Sequence, residues 1–128
     1  MSELKELAAE AKHELLTHII PFWRGMRDDK FGGYYGYLSY DLALDEKAEK
    51  GCILNSRITW FFANAYLLYK DGGISEEECE AAGFKGEDLL AEAKHGYEFL
   101  REHCIDKEYG GIFWSLNYDG TPLDTTKH

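Results

Sequence analysis

Arg57 is the residue with the most chemistry to offer. It stands inside the stretch from Cys52 to Tyr69, the most hydrophobic of the chain, and a guanidinium cannot shed its charge. Burial there demands an anionic or hydrogen-bonding partner. At helical spacing Trp60, Phe61 and Asn64 follow Arg57 on neighbouring turns, so Arg57 and Asn64 share a face edged by aromatic rings. A planar fork for oxygens beside rings for C–H faces suits a sugar. A structural salt bridge to an acidic residue of another helix explains the same pattern, and both readings stay open. Two aromatic runs add Tyr34, Tyr35, Tyr37 and Tyr40, then Phe113, Trp114 and Tyr118. Core packing of a small hairpin accounts for most of these. Trp114 is the exception, because it replaces Gly36 in an internal repeat described below and so is not demanded by the shared scaffold.

The remaining polar residues carry less. His13-Glu14-Leu15-Leu16-Thr17-His18 invites comparison with the H-E-x-x-H zinc motif, but histidines five apart lie about 140° around a helix and cannot chelate from one face. No metal site is expected. His95 and His103 read as solvated helix residues. Asp28-Asp29 and Glu76-Glu77-Glu78 sit where turns and helix starts account for carboxylates. Gly32-Gly33 and Gly110-Gly111 lack the spacing and the lysine of a phosphate-binding loop.

The elements that must position these residues are mainly helical. Ser2 is a plausible cap for an amphipathic helix through Leu4, Leu7, Ala8, Ala11, Leu15 and Ile19, which Pro21 limits or kinks before Phe22-Trp23 enters the core. Gly32-Gly33 opens Tyr34 to Tyr40, whose aromatic richness predicts a strand or hairpin. Cys52 to Tyr69 leaves so little polar circumference that it must be a helix buried on nearly all sides. Ser75 with Glu78 is a capping box, a last helix runs from about Glu87 to Cys104, and Ile112 to Tyr118 is a short strand closed by the turn Asp119-Gly120. The connection from Asp71 to Asp88 reads as a surface insertion.

The chain also repeats itself. Asp29-Lys30-Phe31-Gly32-Gly33-Tyr34-Tyr35 matches Lys107-Glu108-Tyr109-Gly110-Gly111-Ile112-Phe113, and each copy follows a helix containing Ala-Lys-His, at Ala11 to His13 and at Ala93 to His95. A helix, a Gly-Gly turn and an aromatic strand, with a second helix between copies, is one unit of a helical-hairpin array. Two copies rarely finish such an array, so residues 1–128 read as a single incomplete domain.

Composition narrows the function classes. With 45% hydrophobic and 15% aromatic residues the chain is globular, and 14 Lys+Arg against 24 Asp+Glu give a net charge of -10, which argues against nucleic-acid or anionic-membrane partners. A small neutral or cationic ligand fits better. No signal peptide or membrane-spanning run stands out. Three cysteines, an odd number without CxxC spacing, indicate neither a disulfide framework nor a zinc knuckle, and the cytoplasm is the expected compartment.

Taken together, His18-Ile19-Ile20-Pro21-Phe22-Trp23, the two Gly-Gly repeats, Gly51 through Trp60, and Asp124-Thr125-Thr126-Lys127-His128 resemble the opening of the cellobiose 2-epimerases within the N-acylglucosamine 2-epimerase superfamily. The resemblance covers nearly the whole chain. It implies the N-terminal part of an (α/α)6 barrel, helical hairpins with short aromatic β-hairpins, comprising the first two to three helical repeats. It further implies cofactor-free epimerisation at C2 of the reducing-end glucose of a β-1,4-linked disaccharide. One histidine removes the C2 proton, a cis-enediolate forms, and a second histidine returns a proton to the other face. Arg57 matches the family's active-site arginine, whose fork would stabilise the enediolate oxygens; Asn64, Trp60 and Trp114 are the candidate substrate-binding residues. None of the five histidines matches the catalytic pair, the family's active-site tyrosine falls just beyond His128, and the chain alone is expected to be inactive.

Alternatives from other classes are an N-acylglucosamine 2-epimerase, an aldose-ketose isomerase or an (α/α)-barrel glycoside hydrolase, and a non-catalytic helical binding module. Paired carboxylates in the remainder of the enzyme would favour hydrolysis, and histidines on inner helices would favour epimerisation.

Overall fold

The computed structural model describes residues 2–127, so the His128 of the family resemblance lies outside the described residues. Helix α1, Glu3–Glu14, starts where the Ser2 hydroxyl accepts the Lys5 N–H at 3.2 Å, with Glu3 and Glu6 in its first turn. Pro21 does not end it. A π-turn, Leu15–Ile19, widens the helix so that the Ile20 N–H reaches back to the Leu15 carbonyl, and α2, Ile20–Gly25, continues beyond. The widened turn absorbs the missing N–H and the bulk of the proline ring. The apolar stripe expected along this helix is covered only at its end: Leu16 and Ile20 are buried, whereas Leu4 and Leu7 are exposed.

The expected strand at Tyr34 to Tyr40 does not form. The segment is a pinned loop with only isolated pairings, Arg27 with Tyr34 and Leu38 with Leu44. Gly32 and Gly33 take positive φ (90° and 66°), and a Cβ on Gly36 would fall 1.8 Å from the Glu49 carbonyl oxygen. Turn and close crossing leave no room for a regular ladder. Tyr34 is fully buried, while Tyr37 and Tyr40 point outward.

Strand β1, Lys50–Gly51, runs straight into α3, Cys52–Lys70. Helix α3 packs antiparallel on α5, Gly86–Phe99, and the register is set by two glycines. A Cβ on Gly96 would lie 2.1 Å from Thr59 Oγ1, and one on Gly86 would lie 2.1 Å from the Tyr69 ring. The buried face of α3 is Cys52, Asn55, Ile58, Phe62 and Ala65. The opposite face is open, which corrects the expectation of burial on nearly all sides: Trp60 is 70% exposed, and Leu67 and Leu68 are exposed as well. The sequence carries the apolar surface, but among the described residues only one helix, α5, covers it along its length.

Between these helices, α4, Glu76–Ala81, is held by the Ser75–Glu78 capping box. The segment from Asp71 to Asp88 is more than a surface insertion, because it drives Ile74, Cys79 and Phe84 into the main core beside Phe62 and Leu89. After α5 a second π-turn, Leu100–Cys104, leads to β2, Phe113–Leu116, and β3, Pro122–Lys127. The sheet is antiparallel in the order β1-β2-β3, with Gly51 opposite Ser115. Under it, Cys52, Phe99, Cys104 and Leu116 form a second enclosed cluster.

The sequence repeat is a structural repeat. Asp28 and Asp106 each receive the backbone N–H groups two and three residues on, at 2.9–3.1 Å, and each donates its own N–H to the second glycine of its pair. This is an Asx-turn closed by glycine.

Candidate active site

The pairing of β1 with β2 sets Trp114 beside the first turns of α3. Between them lies a cavity of about 390 Å³, with Ile53, Leu54 and Arg57 on α3, Glu49 and Gly51 on the approach to the helix, and Trp114 with Ser115 on β2. Arg57 is exposed, and among the described residues it makes no hydrogen bond or ion pair. The expected buried guanidinium with a partner opposite it is therefore not what the structure shows. Its neighbours on α3 face outward with it, so water solvates the charge and no salt bridge is required. Trp114 is 47% exposed at the same cavity. Trp60 and Asn64 continue the open stripe of α3 beyond it, and the Asn64 carboxamide donates to the Trp60 carbonyl at 2.9 Å. The structure thus brings Arg57 and Trp114 together and leaves Trp60 and Asn64 outside the cavity wall.

Two buried polar residues hold this wall, and sequence reasoning missed both. Asn55 accepts the Tyr34 N–H at 2.9 Å and donates to the Gly51 carbonyl at 2.9 Å, tying the aromatic loop to the start of α3. Lys50, fully buried, donates to Asp28 Oδ2 at 2.5 Å and to the Gly32 carbonyl at 2.7 Å. Burial pushes the Asp28 carboxyl up, but the Lys50 hydrogen bond and the N–H groups of Phe31 and Lys30 outweigh it and hold it below the usual carboxylate range. The Asx spacing at Asp28 is legible in sequence; its pairing with a lysine across the loop is not.

A second buried carboxylate, Glu92, accepts from Arg24 Nε, Arg27 Nη1 and the Tyr34 hydroxyl, each at 3.1 Å. Burial, then the charge of Glu92, raises the Tyr34 phenol well above its ordinary value. His95 is not solvated as expected: its Nε2 lies 2.7 Å from the Gly33 carbonyl, and its ring stands edge-on to Tyr34. His18 pairs with Glu14, and His103 packs on Phe99. None of these histidines lines the Arg57 cavity.

A larger cleft of about 560 Å³ lies between the loop at Arg27 to Phe31, Glu46-Lys47 and Tyr118. Among the charges that line it, Arg27 is held by Asp29 and Glu92, and Asp28 by Lys50. The Arg57 cavity, smaller, sets a guanidinium fork that makes no ion pair among the described residues beside the Trp114 ring, and this is the candidate for chemistry.

No protein-family model matches the chain. Over 122 residues it is 49% identical to the cellobiose 2-epimerase of Ruminococcus albus, an alignment that takes in 95% of this chain. The relatives of this chain are cellobiose 2-epimerases. The fold agrees. The chain superposes on a sugar epimerase from a ruminal bacterium with a TM-score of 0.80 at 49% identity, and on the cellobiose 2-epimerase from Bacillus thermoamylovorans with a TM-score of 0.80 at 38% identity. It covers 95% and 94% of itself in those comparisons but only 28% and 27% of the two structures. The helical hairpins are therefore part of an (α/α)6 barrel, and the chain spans little more than a quarter of the cellobiose 2-epimerases it matches.

Proposed function

We propose that this chain supplies the arginine wall of the active site of a disaccharide 2-epimerase. The observation that carries the reading is Arg57, a cation without a partner among the described residues, facing a cavity that it shares with Trp114. In the proposed reaction the reducing-end glucose of a β-1,4-linked disaccharide such as cellobiose opens, loses its C2 proton and is reprotonated on the opposite face, giving mannose. Negative charge develops on the enediolate oxygens at O1 and O2. The Arg57 fork offers parallel N–H donors to that charge, and a donor pre-aimed at a developing oxyanion contributes most where water is excluded. Trp114 offers a ring face to the C–H side of a sugar, with Trp60 and Asn64 further along the same stripe of α3.

The proton-transferring bases are proposed to be histidines in the part of the enzyme that this chain does not represent. Residues 1–128 are accordingly one incomplete domain of a cytoplasmic enzyme that needs no cofactor. Among the described residues no helix is long and apolar enough to cross a membrane.

The test compares the 128-residue chain with a version extended, from its genomic context, to the length of its relatives. Each is incubated with cellobiose in D2O and deuterium at C2 is followed by NMR. The reading expects exchange and glucosyl-mannose from the extended protein only. Turnover by the shorter chain would place the bases elsewhere than proposed, and an extended protein that hydrolyses cellobiose would replace epimerisation with glycoside hydrolysis.

A further inference from the structure

Of the three cysteines, all buried, two share one core cluster. Cys52 is the first residue of α3, Cys104 the last of the π-turn after α5, and both lie without solvent exposure in the cluster with Phe99 and Leu116. The same side chains enclose both sulfurs. Cys52 also stands at the N-terminus of a 19-residue helix whose cap, Gly51, offers no side chain and whose first turn holds no acidic residue. Free backbone N–H groups and the helix dipole favour a thiolate there. We propose that Cys52 and Cys104 are an oxidisable dithiol that hydrogen peroxide converts to an intramolecular disulfide, tying the first turn of α3 to the π-turn after α5.

Cys52, at the N-terminus of α3, is the attacking sulfur. Its thiolate takes one peroxide oxygen, the O–O bond breaks, and the departing hydroxide takes up the Cys52 proton as water. The Cys104 sulfur then attacks the resulting sulfenic acid, the S–O bond breaks, and the second hydroxide leaves with the Cys104 proton as water. Two thiols lose two electrons and one peroxide becomes two waters. Because both sulfurs are enclosed, local opening of the short β1 strand and the first turn of α3 sets the rate. Arg57 rides on that turn's successor, so the cross-link fixes the element that carries it.

Cys79 provides an internal control. It lies in the other core cluster, and burial followed by the carboxylates of Glu76, Glu78 and Asp88 raises its thiol.

The experiment uses the purified 128-residue chain and needs no enzymatic activity. The folded protein is treated with hydrogen peroxide, quenched, denatured and alkylated, and the intact mass and protease-derived peptides are measured. The proposal expects a loss of about 2 Da, one alkylatable thiol remaining, at Cys79, a peptide pair linking Cys52 to Cys104, and a higher urea midpoint that dithiothreitol reverses. Cys79→Ser is expected to cross-link like the parent chain. Three alkylatable thiols after treatment, a linkage through Cys79, disulfide-linked dimers, or oxygen addition without a Cys52–Cys104 link would each overturn it.

Discussion

The two Gly-Gly turns share a backbone and differ in everything around it. In the first, Asp28 is closed in against Lys50, Tyr34 fills the core, and Asn55 and Phe99 press on Gly33. In the second, Tyr109 is 81% exposed, Ile112 stands where Tyr34 does and is exposed, and among the described residues nothing lies within 4 Å of a Cβ on Gly110. The same Asx hydrogen bonds close both. Local sequence therefore makes the turn, and in the first copy long-range partners make it an anchor. The anchored copy is the one that precedes α3, so the Lys50–Asp28 and Asn55 contacts fix where Arg57 begins its climb along the helix.

That contrast is sharpest at the ion pair. Lys50→Ala leaves the buried Asp28 carboxylate without its partner and is expected to cost about 3–5 kcal/mol, read by urea unfolding against the parent chain. A loss under about 1 kcal/mol, as for an exposed pair, would mean that the ion pair does not anchor the turn. The glycines come next. Gly33→Ala places a methyl carbon 2.8 Å from Asn55 Oδ1 and from the Phe99 ring at a positive φ, so left-handed strain and overpacking add to about 2–4 kcal/mol. Gly110→Ala meets only the strain, about 1–2 kcal/mol, and thermal melts rank the pair.

Acid gives the smallest and most selective difference. The Asp28 carboxyl is held below its ordinary value, so it protonates in the unfolded chain before it does in the folded one. Its contribution to stability is complete well above an unfolded value of about 3.9 and is lost as the pH falls through the lower folded value. The stability of the parent chain is expected to fall more steeply below about pH 4 than that of Asp28→Asn, with urea midpoints read across the acid range. Parallel slopes would remove Asp28 from the account.

How much of this was legible follows the same division between local and distant. Ser2, the Ser75–Glu78 box and the Gly-Gly turns were readable because each is satisfied within a few residues of itself. Tyr34 to Tyr40 misled, since aromatic richness favours strands but Gly33, Gly36 and the crossing at Glu49 impose a loop. The burial of α3 was overread, because an apolar helix announces that it needs neighbours and not which of its faces α5 will cover. Lys50 and Glu92 go unremarked and His95 reads as solvated for the same reason, their partners lying far away in sequence. Arg57 stands out in sequence by its place in an apolar segment, yet its setting, open beside Trp114, comes only with the pairing of β1 and β2.

The central claim is that Arg57 is held for chemistry and not for the fold. The most direct measurement is the rate of C2 deuterium exchange into cellobiose by the extended enzyme carrying Arg57→Ala, set beside its melting temperature. The account predicts a loss of about 100-fold or more in rate, with stability within about 0.5 kcal/mol of the parent, as for an exposed residue without a partner. Exchange at the parental rate, or a rate lost only because the protein unfolds, would contradict it.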